Sequence, residues 1–310
     1  MTSVETIALD PDTEEVYLVR ERLTTIGNLG FLRRVLRINL RWNRLTRIEG
    51  LNNLDTLTEL ILFDNQIAKL ENLSTIPNLR HLDVSYNRIH KLEGLDSLPN
   101  LAELYLCHNK ITKIENLDHL ANLRVLELGD NRIKKIENLE GLSKLEELHL
   151  GANHIREIEN LECLAKTLKV LDLPANAITR IQGLETLAKL ETLSIAQNGI
   201  RYIEGLDKLR KLKVLDLNDN IIEQLDNVSM LKRLEKLWIR KIQNINPAVL
   251  AEELHQLGRL EHLVIEGTEL ARTDDYRKVV LEVLPHLKQL DSYPVWWVPG
   301  DPWQVKPDDV

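Results

Sequence analysis

The sequence predicts an α/β repeat solenoid. A parallel sheet would line its inner, concave face, short helical or 3-10 segments its convex side, and a cap its C-terminal end. Three observations predict it: a comb of evenly spaced asparagines, a two-residue alternation of leucines before each asparagine, and an aliphatic composition. Apolar residues make up 43% of the 310 residues but aromatics only 4%. A core must then be built of Leu and Ile, which suits thin repeated layers better than one deep globule.

The comb comes first. Asn43, Asn65, Asn87, Asn109, Asn131 and Asn153 follow one another at 22 residues. Asn176 follows after 23, because "LAKTLKV" carries one extra residue, and Asn198 and Asn220 resume the spacing of 22. Each sits in the frame L-x-x-L-x-L-x-x-N-x-I-x-x-I-E-x-L, seen in "RVLELGDNRIKKIENL". This period and frame are the signature of a leucine-rich repeat. In L-x-L the leucines point one way and the residue between them the other, as in a short strand with an apolar side. The asparagine stands where the chain turns, and its amide can both donate to and accept from turn backbone. Ile-x-x-Ile, for example Ile133 and Ile136, supplies a second apolar wall, and "ENL" or "EGL" turns the chain back. No unit buries its apolar face alone, so the units must stack.

The ends of the array are degenerate. Glu21, Ile242 and Thr268 take the asparagine place in the first and the last two frames. Val279, Val280, Val283 and Leu284 suit a capping helix. The resulting organisation is a flexible segment over 1–14, about 12 repeats over 15–268, a cap over 269–291 and a Trp/Pro-rich tail over 292–310. The tail is expected to pack as a strap over the cap.

Charge and motifs exclude several functions. The net charge of −8 disfavours nucleic acid and anionic membranes and fits a partner with a basic patch. Cys107 and Cys163 form neither a metal pattern nor a disulfide framework. No apolar stretch is long enough for a membrane span, and the acidic start lacks the pattern of a secretory signal, so an intracellular protein is expected. No phosphate-binding or dinucleotide glycine motif is present. "KLRKLK" at 208–213 is read as a solvated basic face. Neither an enzyme, a cofactor nor a metal site is expected.

Function is expected at the positions the frame leaves free. The residue between the strand leucines runs Asp83, Tyr105, Glu127, His149, Asp172, Ser194, Asp216, Trp238, with no Lys or Arg. Glu127, His149 and Asp172 fall on successive frames, but no further ligand or nucleophile accompanies them, and a binding surface is the better reading. Two residues on, Ser85, Cys107, Gly129, Gly151, Pro174 and Ala196 are small and leave a furrow. Asp64, Tyr86, Asp130 and Asp219 line the next place, and Phe63 joins Tyr86, Asp130 and Asp219 as a secondary contact set. Acidic groups beside rigid aromatics suit an interface that selects a basic partner.

The frame with recurrent "IENL" and "IEGL", followed by the C-terminal cap, resembles the regulatory subunit 7 family of protein phosphatase 1, from about Val16 to Leu290. That resemblance implies docking of the phosphatase catalytic subunit on the concave face, with any catalysis and metals belonging to that partner. It places Asp83, Glu127, Asp216 and Trp238 where the family uses the same residue, and Tyr105 where it uses Phe. His149 replaces an aromatic, Lys236 an acidic residue, and Val264 stands where an aromatic is expected. The family docks without the short basic–Val–x–Phe/Trp motif, which this chain also lacks. The resemblance further implies a chain monomeric by itself, a nuclear and cytoplasmic location, a role in mitotic control and room for a further inhibitor subunit. The alternative is a scaffold for another intracellular protein, cytoskeletal, centrosomal or axonemal.

Overall fold

The structure is a computed structural model and describes residues 9–296. It falls into two compact units, Met1–Val170 and Leu171–Val310. The first carries seven three-residue strands: β1 (Glu15–Tyr17), β2 (Arg37–Asn39), β3 (Glu59–Ile61), β4 (His81–Asp83), β5 (Glu103–Tyr105), β6 (Val125–Glu127) and β7 (Glu147–His149). Each pairs in parallel with the next, and the partners are residues one 22-residue repeat apart, such as Leu82 with Leu104. The middle residue of every strand is buried and its two neighbours face away from the core. The alternation of a strand thus divides each repeat into one core leucine and two outward positions.

The boundary between units falls within β8 (Val170–Asp172). The second unit continues with β9 (Thr192–Ser194), β10 (Val214–Asp216), β11 (Lys236–Trp238) and β12 (His262–Val264). These pair in parallel from β9 to β12. The sequence therefore folds as the repeat solenoid its frame predicts. On the outer side the chain is mostly turn, with three-residue 3-10 helices at Leu73–Thr75, Glu162–Leu164 and Leu270–Arg272.

The asparagine comb explains why the repeats stack. Asn131 is buried; its Nδ2 donates to Leu128 O in its own repeat and to Leu106 O in the preceding one, both at 3.0 Å. Its Oδ1 accepts from Ile111 N at 2.9 Å. Asn43, Asn65, Asn87, Asn109 and Asn153 make the same bonds one repeat apart. Each amide thus satisfies backbone groups that stacking has removed from water.

"IENL" and "IEGL" turn out to be two solutions to one backbone problem. The residue before the leucine is left-handed in every case: φ is 59° at Asn72, 58° at Asn116 and 57° at Asn138, and 71°, 69° and 69° at Gly50, Gly94 and Gly205. Glycine and asparagine are the residues that enter this region most cheaply. The asparagines also bond the previous repeat, as Asn116 Nδ2 does to Leu92 O at 2.7 Å.

The C-terminal part departs from the frame. Between β11 and β12 lies a helix, α1 (Pro247–Leu254), which the repeat pattern did not foretell. Asn246 caps it, accepting from Ala248 N and Val249 N, and Pro247 opens the first turn. The capping helix α2 (Tyr276–Val283) buries Tyr276 and Val280. It is followed by β13 (Gln289–Leu290), parallel to β12, and by β14 (Tyr293–Pro294), antiparallel to β13. Residues of the segment read as tail thus join the sheet, and Arg277 Nη2 donates to Pro294 O at 3.0 Å. Trp296 is 65% exposed; the rest of the proposed strap, 297–310, lies outside the described residues. At the other end, 1–8 lie outside them, while Arg33 N donates to Pro11 O at 2.8 Å and ties the residues before β1 to the next repeat.

Asp291 closes the cap. It accepts from Ile265 N at 2.9 Å and Tyr276 OH at 2.8 Å, and its burial raises its pKa despite those bonds. A raised carboxyl pKa means that its contribution favours folding most at low pH. That contribution is lost as pH rises from the unfolded value, about 3.9, through the folded one. Asp291→Asn keeps an acceptor for Ile265 and suits the positive φ of 56° at this position. The variant is expected to be at least as stable as the parent at pH 7 and to lose that advantage near pH 4, as read by urea unfolding at the two pH values.

Candidate functional site

The outward positions form two side-by-side rows along each unit's sheet. In the first unit the row read from sequence is Asp83, Tyr105, Glu127 and His149, and β4 to β7 place these four in direct register. All are half-buried by their neighbours. The acids fold back on their own backbone: Asp83 Oδ1 accepts from Ser85 N at 2.9 Å and Glu127 Oε1 from Gly129 N at 2.6 Å. A methyl group on residue 129 would come within 2.7 Å of that carboxylate oxygen, so the small residue there lets Glu127 lie down. Ser85, Cys107 and Gly151 continue the furrow of small side chains in this unit.

The second row was not singled out from sequence. It holds the residue opening each strand: Arg37, Glu59, His81, Glu103, Val125 and Glu147. His81 Nδ1 lies 2.9 Å from Glu103 Oε2, and its ring sits 5.2 Å from that of Tyr105. Tyr105 OH donates to the same carboxylate at 3.4 Å, and His149 Nε2 lies 3.5 Å from Glu147 Oε2. Arg37 bridges Glu15 at 2.9 Å and Glu59 at 2.6 Å. The open face is therefore more mixed than the first row alone suggests, with Arg37 and the two imidazoles each against a carboxylate.

Carboxylates surround the middle of this patch. Burial pushes the Tyr105 phenol up to about 12, helped by Glu103, Glu147 and Asp83. Burial also pushes the Cys107 thiol up to about 11, with Glu127 and Asp130 adding to the shift. Both shifts come first from burial, and the neighbouring carboxylates add to them in the same direction.

Phe63, Tyr86 and Asp130, predicted as a flanking set, come together through two residues the sequence reading did not place there. Trp42 meets Phe63 edge-on at 6.3 Å, Phe63 lies 4.9 Å from Tyr86, and Tyr86 stacks on His108 at 4.5 Å. His108 then pairs with Asp130. Arg20 and Arg41 lie over the Trp42 ring at 4.2 and 4.6 Å. Trp42, Asp64, Tyr86, His108 and Asp130 all have φ between 50° and 60°. A bulky residue held there carries roughly 1–2 kcal/mol of strain, which the ring contacts offset. Tyr86→Ala keeps that strain and loses both contacts, so a loss of about 1 kcal/mol in chemical unfolding is expected.

In the second unit, Asp216 and Trp238 occupy paired positions on β10 and β11. Asp216 Oδ1 accepts from Asn218 N at 3.0 Å and Oδ2 from Ser194 OH at 3.4 Å; burial raises its pKa. Trp238 is half-buried, beside Lys236 at the start of the same strand. Asp172 opens this unit's row at the end of β8. Asp219 is held by Lys241 Nζ at 2.8 Å and presents no free charge. Among the described residues no group of three or more His, Cys, Asp or Glu is placed to hold a metal ion. None of the helices among them is long and apolar enough to cross a membrane.

Comparison with known proteins agrees with this architecture. The family pattern described as "Leucine Rich repeats (2 copies)" matches residues 77–119 and 188–230, and "Leucine rich repeat" matches 99–155. No curated protein matches the chain. An internalin (InlF) from Listeria monocytogenes is similar in structure: TM-score 0.68 at 22% identity, over 90% of this chain and 87% of that one. Internalin C2 of the same species gives 0.57 at 29% identity, over 61% and 83%. A chain in the octameric complex of Latrophilin 3, Unc5D and the leucine-rich-repeat part of FLRT2 gives 0.72 at 23%, over 93% and 95%. The chain is a leucine-rich-repeat protein, built on a fold that serves as a scaffold for protein–protein interaction.

Proposed function

We propose that the chain is a non-catalytic regulatory subunit that binds the catalytic subunit of protein phosphatase 1 through the open faces of its sheets. The observation that carries the reading is the registered row Asp83–Tyr105–Glu127–His149. Asp83 and Glu127 match the family it resembles, Tyr105 stands for its Phe and His149 departs from it, in surroundings that disfavour further negative charge. In the second unit, Asp172, Asp216 and Trp238 extend the same residue types. A rigid strand row with aromatic anchors and acids bound to their own backbone is pre-organised, which lowers the entropic cost of docking. Under this reading the protein works in nucleus and cytoplasm, is a monomer by itself, and leaves room for a further inhibitor subunit. Neither nucleic acid nor membrane is a partner.

Titration calorimetry of the purified chain against the phosphatase catalytic subunit tests it. Submicromolar binding that weakens with added salt supports the proposal. No heat and no co-elution would leave the chain as a leucine-rich-repeat scaffold for some other protein.

A further inference from the structure

Away from the open face, along the edge where the chain enters the strands, lies a row formed by the residue just before each strand. From Arg124 to Glu235 its members carry charges of alternating sign, and several are tied to a neighbour. Arg124 meets Glu146 at 3.5 Å and Lys169 meets Glu146 at 2.8 Å. In the second unit, Glu191 meets Lys213 at 2.6 Å and Glu261 meets Lys288 at 2.7 Å. In the first unit uncharged residues interrupt the row at Leu36, Thr58 and Ala102. Between Arg80 and Arg124 stands Ala102, where a carboxylate would continue the alternation. Arg80 consequently has no ion pair among the described residues. A pocket of about 290 Å³ opens there, lined by Arg80, Asn100, Ala102, Asn122, Arg124 and Lys144.

From this arrangement we infer that the pocket at the entry edge of β4 to β6 binds a phosphate monoester or free phosphate. Three cations line it and no carboxylate does. Of the nearest acids, Glu103 faces His81 at 2.9 Å, while Glu146 holds Lys169 at 2.8 Å and reaches Arg124 only at 3.5 Å. Arg80 and Arg124 are two strands apart, about 9.6 Å along the sheet. An oxyanion held on both sides by N–H···O bonds of about 2.8 Å fits that gap, and the guanidinium fork matches its oxygens. Lys144 Nζ donates to Asn122 Oδ1 at 2.7 Å, and Asn122 Nδ2 donates to Pro99 O at 2.9 Å, which fixes the floor. The backbone N–H groups of 102 and 124 are already bonded to Arg80 O and Ala102 O, so side chains must supply the donors.

The ligand's source is either free phosphate or a phosphorylated side chain, and two probes distinguish them: inorganic phosphate and a short phosphoserine peptide with its unphosphorylated twin. Each is titrated into the full chain at low salt, with heat and amide chemical shifts read together. Arg80→Ala with Arg124→Ala is expected to weaken binding at least tenfold. Ala102→Glu is expected to abolish it without unfolding, since Glu146 occupies the equivalent place one strand beyond its neighbour. Arg132→Ala, away from the pocket, is expected to leave affinity unchanged. Binding of inorganic phosphate alone assigns a free phosphate; tighter binding of the phosphopeptide, absent for its twin, assigns a modified side chain. If neither probe binds, or if the pocket variants bind as tightly as the parent, the inference is overturned.

Discussion

Asn131→Ala is expected to lower the stability of the first unit by about 3 kcal/mol. The mutation strands Ile111 N, which donates to Asn131 Oδ1 at 2.9 Å. An orphaned buried donor costs about 1–3 kcal/mol. The two carbonyls suffer less. Leu106 O is also bonded by Asn109 Nδ2 at 3.0 Å, and Leu128 O by Asn153 Nδ2 at 3.0 Å. Each keeps one bond, so their joint loss adds about 1 kcal/mol. The position also distinguishes two explanations of the comb. If asparagine served only to turn the chain, the damage would stay within its own repeat. Because its amide ties two repeats together, amide hydrogen exchange is expected to quicken at Ile111 as well as around Asn131. A loss under 1 kcal/mol in urea unfolding would show that water replaces the amide at this site.

Glu127→Lys is expected to weaken binding to the phosphatase catalytic subunit by at least 2 kcal/mol, about 30-fold in Kd. The substitution reverses a charge at the centre of the first unit's patch. It also removes the acceptor of Gly129 N, so a second variant separates charge from local geometry. Glu127→Gln can still accept from Gly129 N and is expected to lose only about 1 kcal/mol. Trp238→Ala tests the second unit by the loss of an aromatic anchor, again about 2 kcal/mol. The order parent, Glu127→Gln, Glu127→Lys in calorimetric affinity supports an electrostatic docking surface. Equal affinity for all three would remove this face from the interface and, with it, the residues assigned by resemblance.

How much was legible beforehand differs from feature to feature. The comb at 22 residues was enough for the strands, because period-two leucines and a turn asparagine leave no other way to bury so much Leu and Ile. The first outward row was legible for the same reason. Helix α1 was overlooked although its signal was present: "NPAVLAEEL" offers an N-cap, a proline at the first position and good helix formers, but the frame drew attention away from it. The residues opening each strand vary from Arg to Glu to Val without one fixed type, yet both neighbours of a core leucine face outward.

The amino-acid sequence by itself determined the repeat, the inward leucines, the asparagine comb and the acidic–aromatic order from Asp83 to Trp238. All of these recur at fixed spacing, so one unit interprets the next. Tertiary structure alone decided which side chains meet across repeats. Phe63 stands two residues before its asparagine, while Trp42, Tyr86 and His108 stand one before theirs, so periodicity aligns Tyr86 with His108 but not Phe63 with either neighbour; the rings nevertheless lie 4.5–6.3 Å apart. Likewise Ala102 reads as an ordinary small residue until Arg80 and Arg124 are seen on either side of it. Such neighbours are 21 residues or more apart in the chain, and only the stacking of repeats about 4.8 Å apart brings them into reach.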